Sequence, residues 1–146
     1  MLTKSKYVGI NMGELLTVYK LFIRCIPEYC SVVFNKSLTI EQSNKIENIQ
    51  KTCLKIILGE SYLSYESALQ TCSLEKLSDR RDKRMLKFAL KCTKDPRNSE
   101  LFPKNDVPHK KEVYKVNFAR TEAYLQSAIP QCQRLLNIHS KVKDKS

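Results

Sequence analysis

Between Thr39 and Gly59 the chain carries a helix start signal, a helix stop signal and, between them, a periodic stripe of apolar side chains. Thr39 and Gln42 form a capping-box pattern, in which each side chain satisfies a backbone N–H of the other residue, and Gly59 supplies the stop. The spacing predicts a helix over Ile40 to Leu58. Its inward face is Ile46, Ile49, Cys53 and Ile56, widened by Leu54, Ile57 and Leu58. A stripe that broad has to be covered by other elements, and most of the remaining chain repeats the helical period.

Upstream, Leu15, Tyr19, Phe22, Ile26, Cys30 and Val33 recur at steps of three and four. Pro27 interrupts them: it has no N–H for the carbonyl of Ile23, which predicts a kink or a break into two shorter helices. Residues 1 to 13 show no clear period and read as a lead-in. Downstream, Ser64 can cap a short helix to about Thr71 that buries Ala68 and Leu69, and Ser73 can cap a longer one over Glu75 to Asp95. The apolar stripe of that longer helix is Leu77, Met85, Phe88 and Cys92. Arg81 falls inside its apolar arc and, if buried, needs a carboxylate partner, for which Glu47 and Glu66 are the candidates. Pro96, Pro103 and Pro108 mark a connector. Lys110 to Phe118 then alternates like a short strand or an extended arm. Ala119 to Ile138 recovers a helical stripe at Leu125, Ala128, Cys132 and Leu135, interrupted by Pro130, and Lys141 to Ser146 reads as a frayed end. The expected fold is all-α: a small helical bundle with a mostly extended connector and a C-terminal helical tail. The expected organisation is a lead-in (1–14), a helical domain (15–103) and a basic C-terminal extension (104–146).

The stretch from Glu75 to Asp95 carries a second stripe. At 100° per residue, Lys76, Arg80, Lys83, Arg84, Lys87, Lys91 and Lys94 lie within an arc of about 100°, while Glu75, Asp79 and Asp82 point elsewhere. The cationic stripe adjoins the apolar one, so this helix can dock on a core and still expose its charge. Such a face is either simply solvated or a surface for a polyanion, with nucleic acid as the leading candidate. The net charge of +11 is unevenly placed. Residues 1–74 hold eight cations against six carboxylates, residues 75–95 eight against four, and residues 104–146 nine against four. In the second basic region Tyr114 and Phe118 alternate with Lys115 and Arg120, an unspecific arrangement for touching single strands. Tyr62 and Tyr65, in the loop before the short helix, are free to stack on bases, whereas Tyr19, Phe22 and Phe88 have the spacing of core residues.

Catalytic chemistry finds little to work with. His109 lies in a loop and His139 near the C-terminal end, and of the aspartates only Asp79 and Asp82 share a helix face, where the spacing suits charge balance. There is no glycine-rich phosphate loop, nucleophile elbow or Cys/His pairing. The six cysteines include no C-x-x-C pair, and no histidine stands at zinc-finger spacing, so neither a metal nor a cofactor is expected. Most cysteines sit among apolar neighbours, as small core residues in a reducing compartment. Met1 to Leu16 has no continuous apolar stretch to serve as a secretory signal. Leu15 to Phe34, the most hydrophobic segment, contains Lys20, Arg24 and Glu28 and cannot span a membrane cheaply. These features together predict a non-enzymatic protein of the cytoplasm or nucleus, not secreted and without a membrane partner.

The wording of the chain adds a resemblance. L-L-T-V-Y-K-L-F-I-R-C-I-P-E-Y-C-S-V-V-F (Leu15 to Phe34) resembles the segment that follows the palm in non-LTR retrotransposon reverse transcriptases. In the same order come S-L-T-I-E-Q-S-N-K-I-E-N-I-Q-K (Ser37 to Lys51), L-K-I-I-L-G (Leu54 to Gly59), S-Y-E-S-A-L (Ser64 to Leu69) and L-S-D-R-R-D-K-R (Leu77 to Arg84). L-K-F-A-L-K-C (Leu86 to Cys92), D-P-R-N-S-E-L-F-P (Asp95 to Pro103) and A-R-T-E-A-Y-L-Q-S-A-I-P-Q-C-Q-R-L-L-N (Ala119 to Asn137) continue it. Phe34 departs from the pattern, since many relatives place tryptophan there. The resemblance implies a thumb and C-terminal extension, the part that grips the template and primer through the nucleic-acid backbone. The implied partners are RNA, DNA or an RNA–DNA hybrid, and possibly the missing palm domain. The family polymerises DNA on an RNA template with two metal ions held by palm aspartates that include a Tyr-x-Asp-Asp motif. Neither that motif nor any Asp-Asp pair occurs here, so no catalytic residue carries over. Three readings stay open: a non-catalytic nucleic-acid-binding fragment, a remnant helical fragment with no activity of its own, and the C-terminal part of an active enzyme whose palm is encoded upstream.

Overall fold

The computed structural model describes residues 2–105 and 112–143, with Ser99 and Lys143 described in backbone alone. Among these residues regular structure is helical apart from one isolated bridge between Lys104 and Tyr114, and the fold is a small all-α bundle. The chain divides into two compact units, one of residues 1–29 and 38–80, the other of residues 30–37 and 81–146.

The first unit is built around α5 (Ile40–Leu58), whose capping box is complete: the Gln42 amide donates to Thr39 Oγ1 at 3.2 Å and the Thr39 amide to Gln42 Oε1 at 2.9 Å. The buried face of α5 is Gln50, Cys53, Leu54, Ile57 and Leu58, turned slightly from the expected one; Ile49 is 41% exposed. The polar Gln50 takes the inward position because both ends of its amide are bonded. Tyr19 Oη donates to its Oε1 at 2.6 Å, and its Nε2 donates to Tyr65 Oη and to the Glu75 carbonyl, each at 2.9 Å. A buried amide satisfied in this way avoids the penalty of about 1–3 kcal/mol that an unmet polar group would carry. α1 (Leu2–Tyr7), α2 (Met12–Val18) and α6 (Tyr65–Thr71) pack on α5. Residues 1–13 are thus more than a lead-in: Leu2 enters the core, and Lys6 Nζ donates to the Ile56 carbonyl at 2.6 Å, meeting one of the orphan acceptors at the end of α5. Gly59 there has φ +59°, and a Cβ on it would stand 2.5 Å from Lys6 Nζ, so the stop residue also leaves room for the lysine.

The break expected at Pro27 takes a specific form. α2 runs into a π-helical turn, Tyr19–Ile23, in which the Arg24 amide donates to the Tyr19 carbonyl at 2.9 Å; α3 (Cys25–Glu28) follows, and the helix ends at Tyr29. A π turn holds one extra residue, so the inward face shifts toward later positions. Leu15 and Tyr19 are buried as expected, but Ile23 rather than Phe22 packs beside them, and Glu28 rather than Ile26 is buried. Phe22, Ile26, Cys30 and Val33 are exposed, which corrects the straight stripe read from the sequence.

In the second unit, α4 (Ser31–Phe34) and α9 (Ala128–Lys143) meet around Met85, Ala89, Cys92, Phe102, Cys132 and Leu136. The first three come from α7 (Leu77–Cys92), which begins in the first unit. Ala89 occupies the place expected of Phe88, which is half exposed. Pro130 does not interrupt its helix. It is the third residue of α9, where a missing N–H costs nothing, and the short α8 (Glu122–Leu125), capped by Thr121, precedes it. Of the two forms expected, short strand or extended arm, the described residues 112–118 take the second: the Asn105 amide donates to the Val113 carbonyl and the Lys115 amide to the Pro103 carbonyl, each at 2.9 Å. The arm's expected start at Lys110, like the frayed end beyond Lys143, lies outside the described residues.

Candidate nucleic-acid interface

The basic helix begins with a borrowed cap. Ser73, the expected cap, has φ +50° and makes no cap to α7, whose first residue is Leu77 rather than Glu75. Glu47 of α5 does the work: its Oε1 accepts from the Leu77 amide at 3.1 Å and its Oε2 from the Ser78 amide at 3.3 Å. A carboxylate is well placed at the positive end of a helix. Tyr65 Oη also donates to Glu47 Oε1. Burial, then this bond to Glu47, raises the Tyr65 hydroxyl far above the usual phenol range and keeps it a donor. Tyr65 is therefore part of the scaffold and not a free stacking ring. Tyr62 likewise packs on the core.

The seven stripe residues fall into two groups. Lys76 and Arg80, in the first unit, are engaged internally: Lys76 Nζ lies 2.8 Å from Glu66 Oε1, and Arg80 donates from Nε to Glu28 Oε1 at 2.6 Å and from Nη2 to Glu28 Oε2 at 3.3 Å. Glu28 is 3% exposed and the Arg80 side chain 26%. The solvent-facing position expected of Arg80 is thus corrected: the π turn rotates Glu28 inward, and Arg80 is the cation that meets it. The bond to Glu28 raises the Arg80 guanidinium above its usual value, and the bond to Glu66 does the same for Lys76.

In the second unit Lys83, Arg84, Lys87, Lys91 and Lys94 are all exposed, while Arg81, Met85, Ala89 and Cys92 on the same helix are buried. Lys83 to Lys91 spans about 12 Å of helix axis at 1.5 Å per residue. Of the carboxylates near this row, Asp82 is 2.8 Å from Lys36 Nζ, and Asp95 is 2.9 Å from Arg97 Nη2. Arg81 is buried, as its position in the apolar arc implied. Its Nε donates to Asn35 Oδ1 at 3.0 Å, and Asn35 Nδ2 donates to Asp82 at 2.5 Å.

Glu47, Gln50 and Asn35 organise α7, and nothing local in the sequence marks them, because each acts on a partner at least 25 residues away. Among the described residues no cluster of His, Cys, Asp and Glu could hold a metal ion, and no helix is long and apolar enough to cross a membrane. His139 is half-buried near the end of α9, and His109 lies outside the described residues. In comparisons with known proteins, no family model, no curated protein and no solved structure matches the chain.

Proposed function

We propose that this protein binds nucleic acid through the phosphate backbone without regard to sequence, as a non-catalytic, thumb-like fragment of a retrotransposon RNA-directed DNA polymerase. The resemblance over Leu15 to Asn137 supplies the family, and the absence of an Asp-Asp pair supports a non-catalytic role. One observation carries the binding surface: Lys83, Arg84, Lys87 and Lys91 are exposed along a helix whose other side is packed into the core of its unit, and Lys94 is exposed in the turn that follows it. Phosphate contacts position a protein on a duplex of any sequence, which is what a grip on template and primer requires. Lys76 and Arg80 leave the proposed contact set because Glu66 and Glu28 engage them.

The test is a salt titration of binding to a labelled RNA–DNA hybrid by fluorescence anisotropy. Each phosphate contact contributes about 0.9 to the slope of log K against log salt. Changing Lys87, Lys91 and Lys94 together to glutamine should lower the slope by about 2 to 3 and weaken binding at low salt. No binding by the parent chain at low salt, or an unchanged slope in the triple variant, would refute the surface. Primer extension by the purified chain would refute the non-catalytic role.

A second reading has its own observation. Leu21, Phe22, Ile26 and Tyr29, in the first unit, are each more than half exposed, at 63, 58, 72 and 77%. An apolar row of that kind fits a remnant helical fragment whose covering partner, such as a palm domain, is missing. Binding of an apolar dye that falls when these residues become serine would favour it.

A further inference from the structure

The extended arm carries an aromatic ring in the open. Phe118 is 86% exposed, yet the backbone leading to it is firmly held by two amide side chains of α9. Asn137 Oδ1 accepts from the Tyr114 amide at 2.8 Å and its Nδ2 donates to the Tyr114 carbonyl at 2.9 Å. One helical turn away, Gln133 Oε1 accepts from the Asn117 amide at 2.8 Å and its Nε2 donates to the Leu101 carbonyl at 2.7 Å. Gln133 and Asn137 are both buried, so these bonds are shielded from competing water and costly to break.

A single exposed apolar side chain needs no explanation by itself. The charges beside this one do. Lys115 and Arg120 stand on either side of Phe118 in the chain, both are exposed, and neither has an ion-pair partner among the described residues. Lys104, also exposed, lies across the isolated bridge from Tyr114. Of the nearby carboxylates, Glu122 accepts from Gln126 Nε2 at 2.5 Å, and Glu112 lies on the far side of the bridge residue Tyr114. The result is an open ring on an anchored backbone, flanked by uncommitted cations.

We infer that Phe118, with Lys115 and Arg120, is a stacking platform for an unpaired nucleic-acid strand. The ring receives the face of one base and the two cations meet phosphates to either side, the combination by which single strands are held without sequence preference. A blunt duplex keeps all but its two terminal base faces inside its own stack and offers the ring far less. The inference rests on the polyanion-binding reading above and names a part of the ligand that α7 does not address.

The test uses the full chain, a short labelled single-stranded oligonucleotide and a blunt RNA–DNA hybrid of the same length. Phe118→Ala should weaken single-strand binding about five-fold or more, the low end of what one lost base–aromatic stack removes, and weaken blunt-hybrid binding far less. Phe118→Trp should retain the affinity. Phe118→Leu, which keeps apolar bulk and loses the flat π-face, should fall with the alanine variant. An unchanged single-strand affinity in Phe118→Ala, an equal loss on both ligands, or full affinity in Phe118→Leu would overturn the platform; the last result would point to a protein partner on an apolar knob. Failure of the parent chain to bind either ligand overturns both readings. Hybrid binding that depends on the α7 lysines but single-strand binding indifferent to Phe118 overturns the platform alone.

Discussion

Glu47→Ala is the substitution that most directly tests how the basic helix is held. Glu47 accepts from the Leu77 and Ser78 amides and from Tyr65 Oη, so alanine removes the N-terminal cap of α7 and leaves a half-buried hydroxyl without its acceptor. Loss of an N-cap costs about 1 kcal/mol, and loss of a hydrogen bond to a charged group about 1.5–3 kcal/mol. Glu47 is half-buried, so water recovers part of the second figure, and alanine inside α5 returns a few tenths through helix propensity. The net expectation is a loss of about 2–3 kcal/mol. For a chain of this size, that corresponds to a fall of roughly 6–10 °C in Tm. Because the chain comprises two compact units, global unfolding need not be a single transition. The decisive assay is therefore urea unfolding followed by helical circular dichroism, paired with hydrogen exchange at Leu77 and Ser78. Glu47→Gln, which keeps one carbonyl acceptor, should lose less than half as much. Tyr65→Phe combined with Glu47→Ala should be clearly non-additive, since both remove the same bond. A loss below about 0.5 kcal/mol with Leu77 and Ser78 still protected would show that α7 is not capped by Glu47.

Two other predictions concern charge. Arg80→Gln leaves Glu28 buried without its closest cation, although Arg24 remains 3.9 Å away, so a loss of about 3 kcal/mol is expected in urea unfolding, with hybrid affinity unchanged; intact stability with lost affinity would return Arg80 to the binding surface. The hydrogen bonds from the Arg97 side chain and amide hold the Asp95 carboxyl below its usual value. Since its unfolded value is about 3.9, the contact acts fully above that pH and is lost as the pH falls through the lower folded value. An NMR titration of Asp95 should show the depressed midpoint, and Arg97→Gln should move it up; an unmoved midpoint would contradict the assignment.

What the sequence determined by itself is the set of helices with local signals. Thr39 with Gln42, Ser64 before Tyr65, and the burial of Ala68 and Leu69 follow from residues within a turn or two of one another, where backbone geometry leaves few choices. The exposed row on α7 from Lys83 to Lys91 was legible for the same reason, because a helix converts spacing directly into a face. Tertiary structure decided which residues on each face are spoken for. The π turn at Tyr19–Ile23 moved the inward positions along the chain, exposing Phe22 and Ile26 and burying Glu28, and that burial drew Arg80 out of the cationic row. Gln50 displaced Ile49 from the core, and Glu47 displaced Ser73 as the cap, since a buried polar group is tolerable only where distant donors and acceptors complete it. Such partners are set by three-dimensional proximity, and no periodicity along the chain records them.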